Sequence, residues 1–218
     1  KTNGRRQTLI FMLTNYGGDH WEHINPFPYI YKSRFDFEFD TFKDKVDAHL
    51  TESKKITDEQ EITTPEKDGG VTTVVLSGKP DNVYPHKWTE FGSEFDEFLR
   101  DCLKTIWDER FYNQSLARYI ERSWINVHYK DGYTEEHFHE GVDIACVCYL
   151  KVPDNSGGFQ IKNPLLAYDT LKLKKDWVTI DVKTNDVIFF PGWLVHRTQP
   201  NQVNEGRYVM SLNVRHIN

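Results

Sequence analysis

From residue 123 onward the apolar residues of this chain recur with a period of two. SWINVHYK, IACVCYL, GGFQIK, DWVTIDV, DVIFF and RYVMSLNVRHI read as strands, as does the region around TLKLKK. Turn residues separate them: Asp131-Gly132, Pro153 to Gly158, Asn163-Pro164, Thr184 to Asp186 and Pro191-Gly192. About eight short strands at such spacing predict a sandwich or jelly roll.

Upstream the period changes. Ser93 followed by Asp96 makes a capping box. Phe95, Phe98, Leu99, Cys102, Leu103, Ile106 and Trp107 then share one helical face, so a helix is expected from residue 93. A shorter helix is expected through Leu116, Tyr119 and Ile120, closing a helical region at residue 122. Residues 1–92 are irregular. The opening KTNGRRQTLIFML reads as a first strand, followed by Gly17-Gly18, Pro26, Pro28 and the alternating Phe35, Phe37 and Phe39. The polar stretch from Phe42 to Gly70 predicts a helix and then a mobile, solvated loop. The expectation is one domain over residues 1–218, mainly β with flanking helices: an N-terminal region (1–92), supporting helices (93–122) and a jelly-roll core (123–218).

Composition narrows the setting. The net charge is -6 over 218 residues, which argues against a broad phosphate-binding surface and so against a nucleic-acid partner. No apolar run approaches the roughly 18 residues of a membrane span, and the apolar patch at the start is too brief for a signal segment. Three cysteines point to a reducing compartment rather than a disulfide framework. A cytoplasmic protein is expected. Cys146 and Cys148 share a strand face but no second pair completes a zinc or redox site, so they read as core thiols.

The candidate chemistry lies in Glu135-Glu136-His137-Phe138-His139-Glu140-Gly141. Residues two apart on an extended chain point to one face, so His137 and His139 can reach one metal while Phe138 turns toward the core. His196, in DVIFFPGWLVH, is the third candidate, because a strand that late in a jelly roll can lie opposite the first. Three protein ligands leave positions open for substrate and oxygen, as in non-haem iron oxygenases. Glu136 and Glu140 face away by parity. Asp143 has the right parity but lies beyond Gly141, and ranks after His139 as third ligand, with Glu140 behind it. A water in that place is a further alternative. The carboxylates are expected to orient imidazole N–H groups. Arg207 opens the strand RYVMSLN; inside a barrel it needs an anion, and its planar fork suits a carboxylate. A surface ion pair is the alternative. His20 and His23 read as a surface turn, and His49, His86 and His216 as isolated.

The ordered set resembles the 2-oxoglutarate/Fe(II)-dependent dioxygenases, and within them a bacterial and bacteriophage subgroup. The matches are Trp124-Ile-Asn126, Gly132, His137-Phe-His139, Tyr149-Leu150 and Ser156-Gly157-Gly158. They continue with Asn185-Asp186-Val-Ile-Phe-Phe190-Pro191-Gly-Trp193-Leu-Val-His196 and Arg207-Tyr-Val-Met-Ser211-Leu-Asn213. The resemblance spans about residues 122–216 and implies a double-stranded β-helix core. It implies Fe(II) held by His137, His139 and His196, with 2-oxoglutarate chelating the metal and Arg207 pairing its distal carboxylate. Asn126, Tyr129, Tyr149, Ser211 and Asn213 are the further cosubstrate candidates, and His128 precedes the site on the same strand. O2 and an unidentified substrate, a small molecule or a protein side chain, complete the reaction. Trp193 and the aromatic N-terminal region are expected to shape the substrate side, and the resemblance places the activity in a bacterial or phage-infected cytoplasm.

Two positions depart from the pattern. Most of the superfamily has Asp or Glu where this chain has His139, and a third neutral imidazole leaves the site one positive charge richer. Val209 stands where the subgroup has the first Ser of R-x-S. Two other readings follow from the same residues: a non-catalytic jelly-roll module, and a cupin-like three-histidine dioxygenase that needs no cosubstrate.

Overall fold

The period-two stretches form strands in the computed structural model, which describes residues 8–9, 30–77, 79, 84–110, 118–164 and 176–216. In chain order the elements are β1 (Thr8–Leu9), β2 (Tyr31–Arg34), α1 (Lys43–Glu59), β3 (Glu66–Lys67), β4 (Gly70–Thr72), α2 (Gly92–Arg110) and β5 (Arg118–His128). There follow β6 (Tyr133–Thr134), β7 (Ile144–Lys151), β8 (Phe159–Lys162), β9 (Trp177–Ile180), β10 (Asp186–Pro191), β11 (His196–Thr198) and β12 (Arg207–His216). The large sheet has the order β1-β2-β10-β7-β12-β5-β4, and the small one β11-β8-β9. A two-stranded ladder joins β3 to β6. This is a mainly antiparallel jelly roll with flanking helices.

β12 lies between β5 and β7 and pairs antiparallel with both. Strand alternation then divides its residues between two faces. Tyr208, Met210, Leu212 and Val214 join an aromatic core beneath α2 and α1, with Phe37, Phe39, Phe42, Phe91, Phe95 and Phe98. Arg207, Val209, Ser211 and Asn213 face the opposite way, toward the small sheet. Register sets their neighbours: Val209 lies between Asn126 and Tyr149, Ser211 between Trp124 and Val147, Asn213 between Arg122 and Ala145. A bulge interrupts each ladder, between Asn213 and Val214 on the β5 side and between Tyr208 and Val209 on the β7 side. A second core, with Phe159, Ile161, Ile180, Ile188, Phe190 and Leu194, fills the space between the sheets.

Several elements differ from expectation. Tyr119 and Ile120 belong to β5, opposite Arg215 and Val214, not to a second helix; pairing with the full length of β12 overrides the weak helical spacing. Leu116, the side chain of Trp107, the TLKLKK stretch and the His20–His23 turn lie outside the described residues. The expected solvated loop after α1 is instead a hairpin, β3 to β4, turning at Asp68 with a φ of 53°. Ser53 of α1 donates to the carbonyl of Thr72 and ties the helix to it. Of the N-terminal aromatic residues described, Phe35 and Phe37 pack on the helical face, with ring centroids 5.0 and 5.4 Å from that of Phe95. They do not line the site. Cys102, Cys146 and Cys148 are buried and form no disulfide. Among the described residues no helix is long and apolar enough to cross a membrane.

Candidate metal centre

His137 and His196 sit directly opposite one another across an isolated antiparallel bridge. The His137 N–H donates to the His196 carbonyl at 3.0 Å, and the His196 N–H returns the bond at 2.9 Å. His139 is fixed by its own N–H, which donates to the Gly192 carbonyl at 2.8 Å. Gly192 has no substitute there, since a Cβ on it would lie 2.2 Å from the Val142 carbonyl oxygen. The three rings converge, with centroid separations of 4.3 to 5.2 Å. One ligand atom from each lies within 4.8 Å of the others.

Hydrogen bonding decides which nitrogen that is. Nδ1 of His137 faces the Glu135 carbonyl at 2.8 Å, Nδ1 of His196 the Leu194 carbonyl at 2.8 Å, and Nδ1 of His139 the Asn213 Oδ1 at 2.6 Å. Carbonyl oxygens only accept, so each Nδ1 carries the proton and each Nε2 keeps its lone pair. Burial also lowers the pKa of all three, that of His139 to about 4. At neutral pH the group is therefore three uncharged imidazoles ready to bind a metal.

Carboxylates do not orient these rings. The Glu135 side chain pairs with Lys67, Glu136 with Lys162, and Glu140 is exposed; two backbone carbonyls and the amide of Asn213 do that work. The Asp143 carboxylate accepts from the backbone N–H of His216 at 2.6 Å and from its Nδ1 at 2.8 Å. Among the described residues the histidine group contains no carboxylate.

The histidines line a cavity of about 360 Å³, a size that suits a small ligand. Its far wall is the inward row of the large sheet: Arg122, Trp124, Asn126 and His128 of β5, Val209, Ser211 and Asn213 of β12, Val147 and Tyr149 of β7. Val209 supplies no hydroxyl, but both its neighbours do carry polar atoms, and the Tyr149 OH and Asn126 Oδ1 are buried without a hydrogen-bond partner. Burial pushes the Tyr149 phenol well above its ordinary range, so it is a neutral donor.

Arg207 is fully buried but does not line the cavity. Its guanidinium donates to the carbonyls of Ser156 and Gln199 and, at 3.2 Å, to Nδ1 of His128; only Nε lacks a partner. Burial draws its pKa down to about 10, so it stays charged at neutral pH. Gly157, with a φ of 81°, makes the tight turn that presents the Ser156 carbonyl. Arginine cannot accept, so His128 Nδ1 must, and its Nε2–H then donates to Thr134 Oγ1 at 2.7 Å.

Three expected neighbours stand elsewhere. Phe138 is 55% exposed at the cavity rim, because the segment is an isolated bridge rather than a strand with a core behind it. Tyr129 follows the last residue of β5 and is 41% exposed, outside the cavity. Trp193 is 56% exposed on the turn after Gly192. Conversely Glu66, Thr72, Thr134 and Arg122 line the cavity without having stood out in the sequence. The Asp68-Gly69 pair marks a hairpin turn between Glu66 and Thr72, but nothing local says what that hairpin faces.

Residues 122–213 match a family model described as "Putative 2OG-Fe(II) oxygenase". The match contains all three histidines, Arg207 and the inward rows of β5, β7 and β12. The fold is similar to that of a Pseudomonas putida prolyl-4-hydroxylase, 11% identical, with a TM-score of 0.50 over 87% of this chain and 93% of that one. It is also similar to the non-heme alpha ketoglutarate dependent carbocyclase SnoK from nogalamycin biosynthesis, 13% identical, TM-score 0.52, over 85% and 78%. An oxidoreductase of the 2OG-Fe(II) oxygenase family from Burkholderia pseudomallei aligns at 15% identity and a TM-score of 0.41, covering 56% of this chain and 57% of that one. This chain thus spans little more than half the length of that protein. No curated protein matches the sequence. The architecture is the double-stranded β-helix of these 2-oxoglutarate oxygenase structures.

Proposed function

We propose that the protein is a non-haem Fe(II), 2-oxoglutarate-dependent dioxygenase that hydroxylates a small molecule or a protein side chain, with release of succinate and CO2. The observation that carries this reading is the convergence of three neutral imidazoles, each with Nε2 free, in the wall of a cavity that also holds unpartnered buried polar atoms. Such a donor set fits Fe(II), and the unpaired Tyr149 OH, a donor, fits an oxygen-rich cosubstrate. Residues 1–218 are read as one domain, with 123–218 as its catalytic core.

His137, His139 and His196 would hold the iron, leaving the other positions to cosubstrate and O2. Bound iron with 2-oxoglutarate supplies the oxidising chemistry, in which the cosubstrate is decarboxylated and a C–H bond hydroxylated. Asn213 holds the proton on His139 Nδ1 and so keeps Nε2 directed at the metal. Tyr149 and Ser211 would donate to cosubstrate carboxylate oxygens through their hydroxyls, and Asn126 through its amide N–H. Arg207 sets a positive field behind His128, which passes its Nε2–H to Thr134 and leaves the Thr134 hydroxyl proton free to donate into the cavity. Trp124, Val147, Phe159 and Val209 are the apolar walls that exclude water.

Succinate formation with Fe(II) and 2-oxoglutarate tests this. It is expected from the unaltered protein and absent from His137→Ala and His196→Ala; iron-dependent turnover surviving both changes sinks the assignment. A cupin-like dioxygenase without cosubstrate is favoured by one observation, that Arg207 is already held by two carbonyls and does not line the cavity. Iron-dependent O2 uptake indifferent to 2-oxoglutarate would select it.

A further inference from the structure

Of the two acidic residues in the cavity wall, Glu66 and Glu140, only Glu66 is buried, and the reaction above does not use it. Glu66 is only 8% exposed and lines the cavity with the three histidines. Its carboxyl takes hydrogen bonds from its own backbone N–H and from Thr64, yet Oε2 has no partner. The adjacent cation acts on it only at a distance, because Lys67 Nζ is held by the Thr64 carbonyl at 2.7 Å and by Glu135 at 3.3 Å. The other charged groups of the wall are committed or exposed. Arg197 donates to Gln160 and lies over the Trp177 ring at 3.9 Å, Arg122 lies 5.4 Å from the Trp124 ring, and Glu140 is exposed.

Glu66 is also fixed relative to the metal ligands. β3 pairs with β6, setting Glu66 opposite Thr134, and the Glu135 N–H donates to the Pro65 carbonyl at 2.8 Å. Two residues later comes His137. A buried carboxylate with an open oxygen is costly unless a donor, best a cation, completes it. Burial accordingly holds this carboxyl above its ordinary range.

We propose that Glu66 anchors the substrate, and that the substrate carries a cationic nitrogen, an amine or guanidinium, whose N–H donates to Oε2 inside the cavity. This rests on the oxygenase reading for the reaction, but the anchor itself is a binding property that can be measured apart from turnover. The group can belong to a free amine or to a lysine or arginine side chain on a peptide.

The test is calorimetric titration of the Fe(II)- and 2-oxoglutarate-loaded protein under nitrogen. The probes are lysine amide, arginine amide, a short peptide with one internal lysine, and side-chain-acetylated lysine amide as the neutral control. Succinate formation is followed in parallel in air. At least one cationic probe is expected to bind and to stimulate succinate release, while the acetylated control does neither. Preference for the peptide over both amides identifies a protein side chain as the source. Glu66→Gln should weaken cation binding at least tenfold, with 2-oxoglutarate and metal affinity changed less than twofold. Glu66→Met removes the unpaired oxygen altogether and should fold at least as stably, with the same loss of binding. The proposal is overturned if no cationic probe binds, if the acetylated control binds equally well, or if either variant binds cations as tightly as the parent. Cation binding that depends on Glu66 without any iron-dependent succinate would keep the anchor and remove the oxygenase reading.

Discussion

His137 and His196 exchange two backbone hydrogen bonds, each N–H donating to the other's carbonyl at 3.0 and 2.9 Å. Two of the three candidate ligands are thus held at a fixed separation by the main chain, before any side chain contributes. The third, His139, depends on its side-chain partner as well as on Gly192, and this asymmetry shapes what substitutions should do.

Asn213→Leu removes the acceptor from His139 Nδ1. The ring is then free to turn or change tautomer, and metal affinity should fall roughly 10- to 100-fold. Asn213→Asp keeps an acceptor and should retain affinity. Competition with a chelator measures both; equal affinity for Leu and Asp would refute the positioning role.

His139→Asp puts a carboxylate where a neutral imidazole stands. Metal binding should persist, while 2-oxoglutarate binds more weakly, because the site loses one unit of positive charge next to a dianion. At roughly 6 Å and an effective dielectric near 20 the difference is ~3 kcal/mol, on the order of a hundredfold in affinity. Anaerobic titration of 2-oxoglutarate reads it directly.

Tyr149→Phe deletes a buried hydroxyl that has no partner. Stability without ligands should stay level or rise by about 1 kcal/mol, while the KM for 2-oxoglutarate climbs about tenfold. Loss of stability with an unchanged KM would show the hydroxyl to be structural.

Acid should destabilise the metal-free protein in a defined window. Burial, helped by Lys87, lowers the pKa of His86 to about 4, with Ser123 Oγ against its Nδ1 at 2.8 Å; burial holds His128 well below its ordinary value, helped by Arg207. Above about pH 6.5 both are neutral folded or unfolded, and their effect on stability is nil. As pH falls below that, the unfolded chain takes up protons that the fold refuses. Stability then drops by up to ~1.4 kcal/mol per pH unit per histidine, for His86 down to about pH 4. Urea unfolding across this range checks it, and His86→Gln should flatten the slope.

The histidine group could be read from the sequence because spacing on an extended chain dictates face, and because a strand as late in a jelly roll as the one carrying His196 can lie opposite the first. The period-two strands were legible for the same reason. Phe138 was misread because parity assigns it a direction but not a neighbour, and no core lies behind that segment. Tyr119 and Ile120 carry spacing compatible with helix, and only their partners on β12 make them strand. Glu66 was hidden since its role comes from a pairing with Thr134 that local pattern does not encode. The carbonyl partners of Arg207, from Ser156 and Gln199, belong to distant loops and leave no trace in side-chain identity.

The two bulges that bracket β12 have a further consequence. One lies on its β5 edge after Asn213, the other on its β7 edge before Val209. A strand sliding by one position would swing Tyr208, Met210 and Leu212 into the cavity and turn Asn213, Ser211 and Arg207 toward the helices. Because the irregularities sit at opposite ends and on opposite edges, no shifted alignment can satisfy both at once. They work as a two-key lock on alignment: a strand displaced by one position would misplace both irregularities and, with them, the partner of His139.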